Sequence, residues 1–263
     1  MPKANVNGID LYYEVTGLAG GPWLTFSNSL RTDHTMWAPQ VQAFSRDFRI
    51  LTYDVRGHGQ SDATDGPYSA DLLCHDLTRL WDHLGIVKSH FAGLSLGGMT
   101  GMRLGTDYAN YIDKLIICDC RGDSPADTVV SWKNRSDIVA EKGVSALVKG
   151  SVDAWFDDDY QMRNRDFVAA IGQSIAQTDP RGYIGCALGM LSNLDMAARI
   201  GEIKAKTLFV VGSEDGPHPA LMKAMHDGLP GSKYALIEGG SHLSNLSHAQ
   251  AFNDALRAFL TEG

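Results

Sequence analysis

The segment Gly93-Leu94-Ser95-Leu96-Gly97 sets a serine between small residues in the pattern G-x-S-x-G. That pattern presents a hydroxyl on a tight strand-to-helix turn. The glycines allow close approach of the two elements, and the N–H groups at the start of the helix face negative charge formed nearby. The chemistry implied is acyl transfer. A serine hydroxyl is a weak nucleophile near neutral pH and needs a base beside it. Two later segments offer the parts in the order serine, acid, histidine. Asp215 follows an apolar run in Gly212-Ser213-Glu214-Asp215, and His242 follows another in Glu238-Gly239-Gly240-Ser241-His242. Nine histidines are present, and His242 is singled out by its place before the final helical segment. Asp119, at the end of an earlier apolar run, is the rival acid; Glu214 is one residue from Asp215 and points elsewhere. The developing alkoxide requires two backbone N–H donors. One is expected from Leu96, the other from the loop Ser27-Asn28-Ser29-Leu30-Arg31, where Leu30 is preferred to Ser29.

The elements that must position these residues follow from periodicity. Residues 9–15 alternate like an antiparallel edge hairpin, and 23–26 and 48–53 are short and β-rich. Over 70–84 the apolar residues Leu72, Leu73, Leu77, Leu80, Trp81 and Leu84 share one helical face, closed by Gly85. A strand over 89–92, the Gly-rich turn, a helix over 96–108 and a strand over 115–118 complete a first half. The alternation resumes with strands over 207–212 and 233–238 and helices over 219–229 and 249–260. Strand and helix in turn imply an α/β fold with a mostly parallel sheet flanked by helices. Between them, helix-like segments over 129–142, 144–156 and 159–177 come with no convincing strand. We therefore expect one core from residues 1–121 and 195–263, with 122–194 as a helical cap over the C-terminal edge of the sheet, where ligands of open α/β sheets bind.

Composition bounds the rest. With 44% hydrophobic and 21% charged residues in 263, the chain has ordinary globular composition. No apolar run approaches the roughly 20 residues of a membrane span, and the N-terminus has no signal-peptide core; a cytoplasmic protein is expected. The four cysteines, Cys74, Cys118, Cys120 and Cys186, fit no metal spacing and read as free thiols. A formal charge of −8 argues against nucleic acid or an anionic membrane as partner.

With these residues in hand, the sequence resembles the 3-oxoadipate enol-lactone hydrolases, serine hydrolases of the α/β-hydrolase fold. Four segments carry the resemblance: Ser27-Asn28-Ser29-Leu30-Arg31-Thr32-Asp33 with Met36-Trp37-x-x-Gln40, Asp54-Val55-Arg56-Gly57-His58-Gly59-Gln60-Ser61, Gly93 to Gly98, and Ser241-His242-Leu243-Ser244-Asn245. The second and third are shared across the superfamily; the first and last are narrower. The resemblance implies opening of a small carboxylated lactone in aromatic-compound catabolism, with no metal or organic cofactor. Ser95 would form an acyl-enzyme that water activated by His242 resolves. It implies a small-molecule ester or lactone as the partner and leaves the oligomeric state open. Arg31 stands where these lactonases usually have Gly, Asp119-Cys120-Arg121-Gly122-Asp123 is more charged than their usual Asn-Thr, the loop Gly216-Pro217-His218-Pro219 looks shortened, and Ser247 replaces a usual Glu. A carboxylated substrate calls for local cations, for which Arg31, Arg121, Lys133 and Arg135 are candidates. Ser29 and Trp132 are expected in the pocket. The same triad also serves carboxylesterases, thioesterases, carbon–carbon bond hydrolases and perhydrolases, and some receptors of this fold keep it without rapid turnover.

Overall fold

The structure, a computed structural model, describes residues 2–262. Its centre is an eight-stranded sheet in the order β1-β2-β4-β3-β5-β6-β7-β8. β1 (Lys3–Val6) and β2 (Ile9–Gly17) form the antiparallel hairpin at the edge, and β2 pairs antiparallel with β4 (Arg49–Tyr53). From β4 onward all neighbours are parallel: β3 (Trp23–Ser27), β5 (Ser89–Leu94), β6 (Ile112–Cys118), β7 (Lys206–Gly212) and β8 (Lys233–Ile237). Every residue of β5 is buried, as is the second half of β6. That fits strands covered on both faces, which read as apolar runs rather than alternations.

Helices cover both faces. α1 (Ala38–Phe44), α2 (Ala70–His83), α3 (Leu96–Asp107), α9 (His218–Asp227), the one-turn α10 (Ser244–Ser247) and α11 (Ala249–Thr261) belong to the sheet layer. The apolar face read from residues 70–84 buries Leu73, Leu77, Leu80 and Trp81, and Ser69 caps that helix by accepting from the Leu72 N–H. This is the α/β-hydrolase fold.

Between β6 and β7 the chain forms α4 (Ala126–Lys142), α5 (Val148–Trp155), α6 (Asp158–Arg163), α7 (Arg165–Gln177) and α8 (Pro180–Cys186). An isolated antiparallel bridge, Asp123 to Asp195, ties the two ends of this block together. We propose that bridge as the boundary of a helical cap over 122–194. Its helices depart from the expected spans. A 3-10 turn (Val144–Leu147) precedes α5, and the segment expected as one helix over 159–177 breaks at Asn164, whose amide and backbone N–H both donate to Tyr160 O. An Asn side chain competing for backbone groups is a local reason for such a break. α8 carries two glycines, Gly182 and Gly185, that hide its helical period; Gly182 packs on the backbone of Gly57.

The turn from β5 to α3 is packed backbone against backbone. A Cβ on Gly93 would lie 2.1 Å from Gly97 O, and one on Gly97 would lie 2.2 Å from Ser27 O. Strand, turn and the loop after β3 therefore touch backbone to backbone. Gly97→Ala is expected to lower stability by about 1–3 kcal/mol through overpacking and to displace the Ser95 turn. Denaturant unfolding together with an ester-hydrolysis assay would check both effects.

Candidate active site

Ser95 sits at the junction of β5 and α3 with φ of 55°, a left-handed conformation rare for a residue with a side chain. Its N–H donates to Cys118 O at 2.9 Å, so the neighbouring strand β6 holds the turn in place. The site residues are brought together by two loops at the C-terminal edge of the sheet. After β7, Asp215 N–H bonds back to Gly212 O; after β8, Gly240 N–H bonds back to Ile237 O. These turns leave the Asp215 carboxylate against His242, with Nδ1 2.9 Å from Oδ2. A carboxylate only accepts, so His242 Nδ1 carries the hydrogen and Nε2 is left with the lone pair.

Ser95, Asp215 and His242 line one cavity of about 280 Å³. Among the described residues no hydrogen bond joins Ser95 Oγ to His242; in sites of this kind that contact often tightens only when substrate binds. The imidazole loop is fixed from behind by residues of two distant segments. Asn245 Nδ2 donates to Met36 O at 2.9 Å, and Gln40 Nε2 donates to Asn245 O at 2.9 Å. The two narrow family segments thus bond to each other, tying the loop of His242 to the helix that follows Leu30 and Arg31.

Asp215 and Asp119 are separated by what they touch. Burial alone would raise the Asp215 carboxyl, but the charge and hydrogen bonds of His242 and His218 outweigh it and hold the group well below the usual carboxylate range. Asp119 instead accepts the Gly212 N–H at 2.8 Å and faces the Ser244 hydroxyl at 3.4 Å. Complete burial, reinforced by the nearby Asp215 charge, pushes its carboxyl well above the usual range. Asp119 therefore braces the start of the Asp215 loop and hydrogen-bonds to neither imidazole among the described residues.

The loop of Leu30 and the turn of Leu96, expected to supply the oxyanion donors, are held together by the same close packing. Gly97 N–H donates to Asn28 O at 3.0 Å, which joins the loop of Leu30 to the turn of Leu96. Ser29 N–H is directed to Met36 Sδ at 3.3 Å, which leaves Leu30 as the better second donor.

Of the expected pocket residues, Ser29, Leu30, Arg31, Arg121 and Trp132 line the cavity with the three central residues, whereas Lys133 pairs with Asp137 on the exposed face of α4. Arg121 is already neutralised, with Nη2 2.8 Å from Asp123 Oδ1 and Nη1 donating to Thr128. Arg31 lines the cavity without a carboxylate partner among the described residues. The sequence reading did not single out His218 or Trp155, which also line it. His218 Nδ1 lies 3.1 Å from both Asp215 Oδ2 and Asp215 O, so two imidazoles share one acid. Only its place three residues after Asp215 hinted at this. Asp215, His218 and His242 offer donor atoms within 4.8 Å of one another, a set able to hold a divalent cation. A cation there would take the Nδ1 lone pairs that now carry hydrogens to Asp215, and would displace the base.

Comparison with known proteins identifies the family. A family described as "Alpha/beta hydrolase family" matches residues 18–255. The chain belongs to that family of hydrolases. Within it the chain resembles the enol-lactonases. It is 32% identical over 258 residues to 3-oxoadipate enol-lactonase 1 of Acinetobacter baylyi, covering 97% of this chain and 95% of that protein. The crystal structure of the enol-lactonase from Burkholderia xenovorans superposes with a TM-score of 0.94 at 36% identity, covering 99% of this chain and 100% of that one. A putative carbamate hydrolase, RutD of Agrobacterium fabrum, is 28% identical over 95% of this chain and 98% of that protein.

Replacing each acid by its amide separates their roles. Asp215→Asn removes the acceptor that fixes the His242 tautomer, and kcat is expected to fall by about 10⁴. Asp119→Asn keeps the shape of a side chain that braces the loop without bonding to either imidazole, and a loss of less than about tenfold is expected. Steady-state kinetics on a chromogenic ester would check this; the reverse ranking would transfer the acid's role to Asp119.

Proposed function

We propose that this chain hydrolyses a small carboxylated lactone or ester, 3-oxoadipate enol-lactone or a near analogue, through an acyl-enzyme on Ser95. The single observation that carries the reading is the shared cavity. Ser95, held on its strained turn, opens into the same space as an imidazole whose Nδ1 hydrogen is committed to Asp215. The names of its relatives, two of them enol-lactonases above 30% identity, support the substrate class.

In this reading His242 Nε2 takes the proton of Ser95 Oγ as the oxygen attacks the lactone carbonyl. The tetrahedral oxyanion is stabilised by the N–H groups of Leu30 and Leu96. Collapse breaks the ring C–O bond; the leaving enol oxygen takes the proton back from His242 and becomes the ketone on tautomerisation. Water then gives its proton to His242 and attacks the acyl carbonyl, and the proton returns to Ser95 as the free acid leaves. Arg121 and Trp132 line the wall of the pocket. Each step uses groups of this chain and water alone.

A fluorophosphonate probe is expected to label Ser95, and a hydrolysis panel of 3-oxoadipate enol-lactone, neutral lactones, a carbamate and short p-nitrophenyl esters would rank substrates. The carboxylated lactone should lead by about two orders of magnitude in kcat/KM, and Ser95→Ala should lose several orders of magnitude on every substrate. Activity that survives Ser95→Ala would sink the mechanism. A lead for neutral esters would keep the mechanism and discard the substrate.

A further inference from the structure

Arg31 is a cation that the fold holds at some cost and does not neutralise. Its backbone has φ of 70°, in the region that favours glycine, so an arginine there is strained. The guanidinium is packed 5.0 Å over the Trp155 ring and 5.9 Å over that of Tyr183, and Nη1 donates to Ser151 Oγ at 2.6 Å. Nε is out of reach of solvent and has no hydrogen-bond partner. Burial, with the nearby charge of Arg135 adding to it against Tyr183, pulls its pKa down to about 10. It stays charged at neutral pH, and an unpaired buried charge calls for a counter-ion.

Arg135, exposed on α4, is a second unpaired cation at the cavity. It lies 4.8 Å over the Trp132 ring and has no carboxylate partner among the described residues. The two arginines lie at a junction. Together with Ala154 they line the catalytic cavity, and they also line a second chamber of about 210 Å³ between α4 and α5. The remaining lining of that chamber, Ala146, Leu147, Gly150 and Ser151, carries no acid. Each guanidinium lies over a tryptophan ring, a contact compatible with further N–H groups meeting a planar anion.

We propose that Arg31 and Arg135 form an anion subsite at the junction of the two chambers, which holds the carboxylate of the substrate while its ester or lactone carbonyl lies at Ser95. The inference rests on the proposed hydrolase reading and extends it by naming which cations recognise the acid. Arg121, paired with Asp123, is excluded from that role. The second chamber gives room for acids whose chain is too long for the catalytic cavity alone. A neutral analogue is rejected because it leaves the guanidinium groups unpaired.

The test compares mono-p-nitrophenyl adipate with p-nitrophenyl hexanoate, a carboxylated and a neutral ester of matched length. In Arg31→Gln the loss of kcat/KM on the acid ester should exceed the loss on the neutral ester by about 30-fold, chiefly through KM, as expected for losing a charge-assisted contact. Arg135→Gln, an exposed position, should show the same bias at about fivefold, and Arg31→Lys should recover part of the selectivity. Equal losses on both esters in Arg31→Gln, with no bias in Arg135→Gln, would make Arg31 a structural tie to Ser151 and end the proposal. A second arm reads binding alone. Adipate should bind Ser95→Ala by calorimetry, and adding Arg31→Gln should weaken it about tenfold; no binding to Ser95→Ala would overturn the subsite. If no ester is hydrolysed in a Ser95-dependent way, the hydrolase reading fails while the calorimetry still judges the subsite.

Discussion

The site depends on three backbone segments meeting without side chains between them. Gly93 near the end of β5 lies against Gly97 in the first turn of α3, and Gly97 lies against Ser27 at the end of β3, each contact closer than a Cβ would allow. One consequence is that Ser95 is forced into a left-handed conformation that lifts its hydroxyl off the sheet. Another is that the loop after β3 is joined to the first turn of α3, with the Gly97 N–H donating to Asn28 O. The proposed nucleophile and oxyanion donors thus share one packing arrangement. Strain recurs nearby: of four non-glycine residues with positive φ, Arg31, Ser95 and Asp119 belong to this region, and only Asn7 lies elsewhere.

The base is positioned by a different device. His242 stands on a loop, and loops are rigid only where their backbone groups are bonded. Asn245 and Gln40 supply those bonds across more than two hundred residues of sequence. Asp119 does the same for the acid, accepting the Gly212 N–H and meeting Ser244. A carboxyl that burial pushes toward its protonated form suits that place. A second charge beside Asp215 would raise the energy of the ionised acid on which the His242 tautomer depends.

What was legible in the sequence divides along the same lines. Gly93-x-Ser95-x-Gly97, Asp215 and His242 could be found because turns punctuate the chain at the ends of strongly apolar strands, and local spacing is enough to mark them. The sheet was legible for the same reason. In the segment between β6 and β7, α4, α5 and α7 fall close to the expected helices; what escaped was the break at Asn164 and α8, which hides behind its glycines. His218 escaped because sharing a carboxylate is a fact of three dimensions. Arg31 and Arg121 looked alike as candidate cations, and only the structure shows that Asp123 neutralises one of them.

That difference matters for how an acidic protein recognises an acid. A formal charge of −8 repels anionic substrates at long range, but exposed charges are screened within about 10 Å at 0.1 M salt. Inside the cavity the balance is reversed, because Arg31 and Arg135 have no ion-pair partner among the described residues while Asp215, the acid that lines it, is engaged by two imidazoles. The field at the cavity wall is therefore set by a few groups, of which the buried Arg31 is the one that solvent screens weakly. Selectivity for an anionic substrate then rests on leaving those arginines unpaired, so the strain held at Arg31 serves recognition in the way the strain at Ser95 serves attack.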